Sequence, residues 1–146
     1  MPVSAKSIGD VVLSLSRGVV GLLFVCHGTS GLFGVPAGDP GMGGVSAFGS
    51  WPGWYAAVIQ VVCGLLVTIG LATRPAAILC SGSMAFAYFV VHQSYGLLPI
   101  DNGGETAALY AWFFLLIAAL GPGRYAVDTL LAKHRPHTGP RTSTLT

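Results

Sequence analysis

The chain consists of four long apolar stretches, and all its charged residues but one fall at or beyond the ends of those stretches. The stretches run about Val11–Phe33, Trp54–Leu71, Pro75–Leu98 and Gly104–Gly121, each about 15 to 23 residues at its apolar core, where a bilayer crossing needs about 20. With 53% hydrophobic and only 8% charged residues, a soluble fold would lack the charge to solvate its surface, whereas soluble domains carry about a quarter. The expectation is an all-α fold, an integral membrane four-helix antiparallel bundle in a single domain over residues 1–131, because short loops make successive helices antiparallel neighbours. A short amphipathic piece over 124–134 is expected to lie along the interface, followed by a disordered cytoplasmic tail, 135–146. The first stretch is read as retained, because no A-x-A-like cleavage site follows it.

The breaks between stretches have their own chemistry. Gly34 to Pro52 is too rich in Gly and Pro for a helix, and Trp51, Trp54 and Tyr55 at its end read as an interfacial aromatic belt. Ala72-Thr73-Arg74-Pro75 is a tight turn with Pro75 suited to a first helical turn. Gly121-Pro122-Gly123 stops the fourth stretch.

All seven Lys and Arg fall on one side of this arrangement: Lys6 and Arg17, then Arg74, then Arg124, Lys133, Arg135 and Arg141. The other side carries Asp39, Asp101 and Glu105. The positive-inside rule makes the basic side cytoplasmic, with both termini there. The location expected is therefore the bacterial inner membrane, multi-pass. A net charge of +2 with no basic patch argues against nucleic acid as a partner.

An ionisable residue inside an apolar span is a site hypothesis, because the bilayer makes it costly. At a rise of about 1.5 Å per residue, His27 lies about 24 Å above the inner start of its helix and His92 about 26 Å above Pro75. Gln60 lies about 9 Å below the outer start of the second helix. Asn102 and Glu105 cap the fourth helix on the same side. His27, Gln60, His92, Asn102 and Glu105 are thus expected to form one outer polar pocket, with Arg17, Arg74 and Arg124 on the cytoplasmic side. The blander reading makes the histidines packing residues, Gln60 interhelical glue and Glu105 a favourable charge at a helix N-terminus; Arg17 would then snorkel to the headgroups. No metal is expected: His27, His92 and Glu105 would form a two-histidine-one-carboxylate set, but from three helices and without an i, i+4 histidine pair. Cys26, Cys63 and Cys80 show no CxxC spacing and are expected as free thiols, with Cys26 and Cys63 differing in depth by about 5 Å. HGTSGLF from His27 and HQSYGLL from His92 echo each other at the ends of the first and third helices.

Five pieces together resemble the DoxX family of small bacterial membrane proteins. They are SRGVVGLLFVCHGTSGLFG (Ser16–Gly34), VCGLLVTIGLATRPAA (Val62–Ala77), the region around His92, DNGGE (Asp101–Glu105) and ALYAWFFLLIAALGPGRYAVD (Ala108–Asp128). The resemblance covers about Arg17 to Leu131. Two positions depart from it: Gln60 stands where members often have a glutamate in E-x-x-G-G, with Cys63 for the first glycine, and Gly31 stands where a lysine often precedes LFG. The superfamily looks like the small subunit of thiosulfate:quinone oxidoreductase, and actinobacterial relatives are discussed as membrane parts of thiol-redox and oxidative-stress complexes. The resemblance therefore implies an accessory or anchoring subunit of a membrane-associated redox, respiratory or oxidative-stress complex, with the lipid bilayer and other membrane subunits as partners. The alternative it implies is a quinone-binding oxidoreductase subunit that uses the outer pocket, with quinone as cofactor. Transport is a further alternative, for which four helices are few.

Overall fold

A computed structural model describes residues 5–37 and 44–134. Asp39, Arg135, Arg141 and the tail 135–146 lie outside the described residues. The rest is all helical: α1 (Ala5–Phe33), α2 (Gly53–Ile69), α3 (Thr73–Phe86), α4 (Glu105–Leu120) and α5 (Val127–Lys133). α3 runs on through a π-helical stretch, Ala87–His92, and a 3₁₀ turn, Gln93–Tyr95.

Two helical segments are long and apolar enough to cross a membrane, Ser7–Phe33 and Thr73–Tyr95. A core helix of a soluble protein would be mostly buried, but only 17% and 22% of their most apolar windows are. α2 and α4 are apolar but shorter, at 17 and 16 residues. Large side chains such as Leu15, Leu22, Leu65, Ile78, Phe89, Trp112 and Leu116 point outward, while Arg17, Gln60 and Thr73 are buried. This is the inverse of the pattern water selects.

α1 begins well before the apolar stretch does. Ala5–Asp10, ahead of the apolar stretch, holds no helix breaker other than Gly9, and the Ser14 hydroxyl donates back to the Asp10 carbonyl at 2.8 Å. Hydropathy marks where a span is apolar, not where its helix starts. α3 leaves α-geometry at Ala87 and ends by Tyr95, short of the Leu98 expected from its apolar run.

Contacts fix the helix directions. Gly21 lies against Gly64 and Thr68, whereas Gly28 lies against Ala57 and Gln60, so α1 and α2 are antiparallel. A Cβ on Gly28 would come within 2.8 Å of the Ala57 carbonyl oxygen, and one on Gly21 within 2.9 Å of the Thr68 nitrogen. Only glycine allows these two backbones so close, which is how small residues hold helices together where no hydrophobic force acts between them. Arg74 lies against Gly121 and the Ser81 hydroxyl donates to the Ala111 carbonyl at 2.8 Å, so α3 and α4 are antiparallel as well. Phe24 of α1 closes the set, with ring centroids 4.7 Å from Phe114 and 5.3 Å from Tyr110. Val67, Cys63, Cys80, Met84 and Ile117 complete this core. The thiols that meet are Cys63 and Cys80, on α2 and α3, and Cys26 stands apart from them. All three are free.

The end of the bundle that holds the α2–α3 turn is a polar clasp. Gly70 ends α2 in the left-handed region at φ 74°, where a side chain would also strike Ala126 and Arg17. Arg17, 3% exposed, donates from Nη1 to the Val67 carbonyl and to the Thr68 carbonyl at 2.8 Å, and from Nη2 to the Tyr125 carbonyl at 2.8 Å. Its cation therefore sits on the negative end of α2. It is a buried cap rather than a side chain reaching for headgroups. Asp128 does the reciprocal task for α3. It accepts from the Ala72 amide at 2.8 Å and from the Thr73 amide and hydroxyl at 2.9 Å. Partial burial opposes ionisation of Asp128, but these hydrogen bonds and the charge of Arg17 outweigh it and hold the carboxyl below its ordinary value.

Two predictions follow from this packing. Gly28→Leu will lower the melting temperature in detergent by several degrees, since overpacking a tight contact costs about 1–3 kcal/mol. Gly18→Ala, where the added Cβ meets nothing within 4 Å, will not. A carboxylate with a depressed folded-state pKa stabilises above its unfolded pKa, and that stability is lost as pH falls through the folded value. The melting temperature will therefore drop as pH is lowered from about 5 towards 3, and the drop will be smaller in Asp128→Asn.

Candidate functional site

The opposite end of the bundle holds a cavity of about 530 Å³ between α1, α2, the end of α3 and the start of α4. His27 from α1, Gln60 from α2 and His92 from the π-helical stretch all line it. Trp51, Tyr55 and Phe86 stand on one side of it and Tyr110 on another. The volume falls in the range of small-molecule sites, as does the combination of apolar and aromatic walls with few polar groups.

Each polar group arrives by a local cause. Gly28 lets α1 close on α2 beside Gln60, which puts His27 and Gln60 on facing helices. Gln60 is only 6% exposed, and it opens onto the cavity: it is not among the enclosed side-chain atoms that lack a partner. An amide opening onto a cavity offers both a donor and an acceptor to whatever enters it. His92 is turned by the π-helical stretch, a widening of the helix that is frequent at functional sites.

Asn102 and Glu105 do not join them. Asn102 is 7% exposed and absent from the lining. Its Nδ2 donates to the Gly96 carbonyl at 2.9 Å, and its Oδ1 accepts from the Gly104 amide at 2.8 Å. Asn102 thus builds the loop between α3 and α4, and its own carbonyl stands 3.2 Å from His92 Nδ1. Glu105 opens α4 as an exposed first-turn carboxylate, a favourable place for negative charge, and does not face the cavity. Both corrections have one reason: rise along a helix fixes height, while facing depends on rotation about the axis. Among the described residues no three His, Cys, Asp or Glu side chains gather, so His27, His92 and Glu105 do not assemble a metal set.

Arg74 and Arg124 are exposed at the clasp end, and Arg17 is buried there, all away from the cavity. Sequence reading missed Met84, Thr106 and Tyr110 in the lining and took Trp51 and Tyr55 only as interfacial residues. Tyr110 had a legible signal, a phenol about one and a half turns into an otherwise apolar helix. The rings of Trp51 and Phe86 lie 5.6 Å apart and those of Trp51 and Tyr55 5.9 Å apart. With Val91 they form the exposed side of the cavity, where α2 and α3 face outward.

The family model for DoxX matches residues 12–93. The chain belongs to the DoxX family. The match takes in α1 from Val12 onward through His92, and therefore all three polar cavity residues, and stops before Asn102 and Glu105. This DoxX chain is 38% identical over 124 residues to an uncharacterized protein of Haemophilus influenzae, across 83% of this chain and 91% of the relative. A second uncharacterized protein of that organism is 26% identical over 84 residues, 57% of this chain and 56% of its own length. No solved structure matches. Membership places the chain among membrane-associated proteins in contact with lipid, in keeping with its two span-length helices.

Proposed function

We propose that this DoxX protein is a multi-pass protein of the bacterial inner membrane that binds the ring of a membrane quinone in the cavity between its helices. The observation that carries this is the convergence of Gln60, His27 and His92, from three different elements, on one cavity walled by aromatic rings. A quinone ring needs flat walls and polar groups for oxygens at opposite edges. Trp51, Tyr55 and Tyr110 supply the first, and His27, Gln60 and His92 supply the second from three different elements. The exposed aromatic side between α2 and α3 suits access from lipid rather than water.

In this reading α1 to α4 all cross the bilayer. The short α2 and α4 are completed by the polar and aromatic residues at their ends, such as Trp51 and Glu105, and the clasp with Arg74 and Arg124 faces the cytoplasm. Both termini are then cytoplasmic and the cavity lies in the outer half of the membrane. A cysteine placed at Ser46 in a variant lacking the native cysteines will react with an impermeant maleimide on intact spheroplasts, and one placed at Ala132 will react only after lysis. The reverse pattern overturns the orientation.

A second reading, an accessory subunit docked in a larger redox or oxidative-stress complex, is favoured by Gly82. This exposed glycine on α3 has open space where a Cβ would stand, as at a helix–helix contact with a partner. One experiment separates the two. Tagged protein drawn from native membranes in gentle detergent should carry extractable quinone, and Gln60→Leu with His27→Ala should lower it several-fold. Unchanged quinone in that variant sinks the first reading. A stoichiometric protein partner without quinone would leave the second.

A further inference from the structure

The loop that carries Asn102 sets what the histidine above it can do. His92 Nδ1 stands 3.2 Å from the Asn102 carbonyl oxygen. A carbonyl oxygen only accepts, so in this hydrogen bond Nδ1 carries the proton and donates. The neutral imidazole then has a bare Nε2, which accepts and cannot donate. The arrangement is held from outside. Asn102 is fixed by its bonds to Gly96 and Gly104, and a Cβ on Gly104 would come within 2.7 Å of Asn102 Oδ1 and 2.8 Å of His92 Cβ. The loop therefore packs directly on the histidine, and rotating the ring to free Nδ1 would break the contact with Asn102.

Among the described residues no side chain donates to Nε2, and His92 lines the cavity. Gln60 also lines it and is indifferent, since an amide offers both a donor and an acceptor. His27 lines it as well, and no hydrogen bond among the described residues fixes its tautomer, so it can serve either kind of oxygen; His92 is therefore the residue that discriminates. We infer that the cavity prefers a ring bearing hydroxyl groups, the reduced dihydroxy form, over the corresponding dione. A phenolic hydroxyl donates to Nε2, whereas a dione oxygen in the same place sets lone pair against lone pair. The inference rests on the ring-binding reading of the cavity and concerns binding alone.

The test uses full-length protein in lipid nanodiscs, without oxygen, at about pH 8.5, where an imidazole is neutral. The probes are 1,4-dihydroxynaphthalene, 1,4-naphthoquinone and 1,4-dimethoxynaphthalene, which keeps the ring and oxygens but cannot donate. The dihydroxy probe should bind on the order of tenfold tighter than the other two, the worth of one hydrogen bond gained and one repulsion avoided. His92→Phe should remove that preference, weakening the dihydroxy probe as its hydrogen bond goes and tightening the dione as the repulsion goes. Equal affinity of dihydroxy and dione probes for the unaltered protein overturns the selectivity while the ring-binding reading survives. Binding of none of the three overturns both. The comparison of probes on the unaltered protein decides the matter even where the variant fails to fold.

Discussion

Arg17 holds the structure together at one end. The last carbonyls of a helix have no partner within the helix, and in an apolar surrounding water cannot serve them. Here a guanidinium from α1 reaches across to the end of α2 and to the Tyr125 carbonyl. Asp128 meets the first amides of α3 from the far side of the same turn. The turn between α2 and α3 is thus clamped between a cation and an anion that come from opposite ends of the chain. The two charges attract across the turn, and each hydrogen-bonds the helix end it caps.

That clamp also explains why the two ends of the bundle differ. At the clasp end nearly every buried polar group has a partner, with Arg17 Nε the exception. At the cavity end, Gln60 and the two histidines face open space. Helices anchored and capped at one end can diverge at the other, and the glycine contacts at Gly21 and Gly28 keep α1 on α2 throughout. α3 leaves α-geometry at Ala87–His92, beside the cavity. The cavity end is thus where polar side chains of three elements open onto one shared space.

Much of this was legible in the residues. The lack of charge and the long apolar runs pointed to helices in lipid, and helical rise alone put His27, Gln60 and His92 at comparable heights. The pieces around HGTSGLF, GLATR and GPGRYAVD carried the family. Rise failed at Asn102 and Glu105, which share that height but face elsewhere, one into its own loop and one outward. Nor does rise say which thiols meet: Cys63 and Cys80 do, and all three cysteines are free as expected. The paired motifs GLATR and GPGRYAVD lie more than fifty residues apart, and nothing local says that one caps the other.

The sequence by itself determined the helices, the solvent they suit and the layer in which polar side chains sit, because hydropathy and a fixed rise per residue are properties of each segment alone. Only the tertiary structure decided which of those side chains share a cavity, that Arg17 is a cap, and which nitrogen of His92 faces the Asn102 carbonyl. Those depend on the rotation of each helix about its axis and on contacts between residues far apart in the chain, and no single segment carries that information.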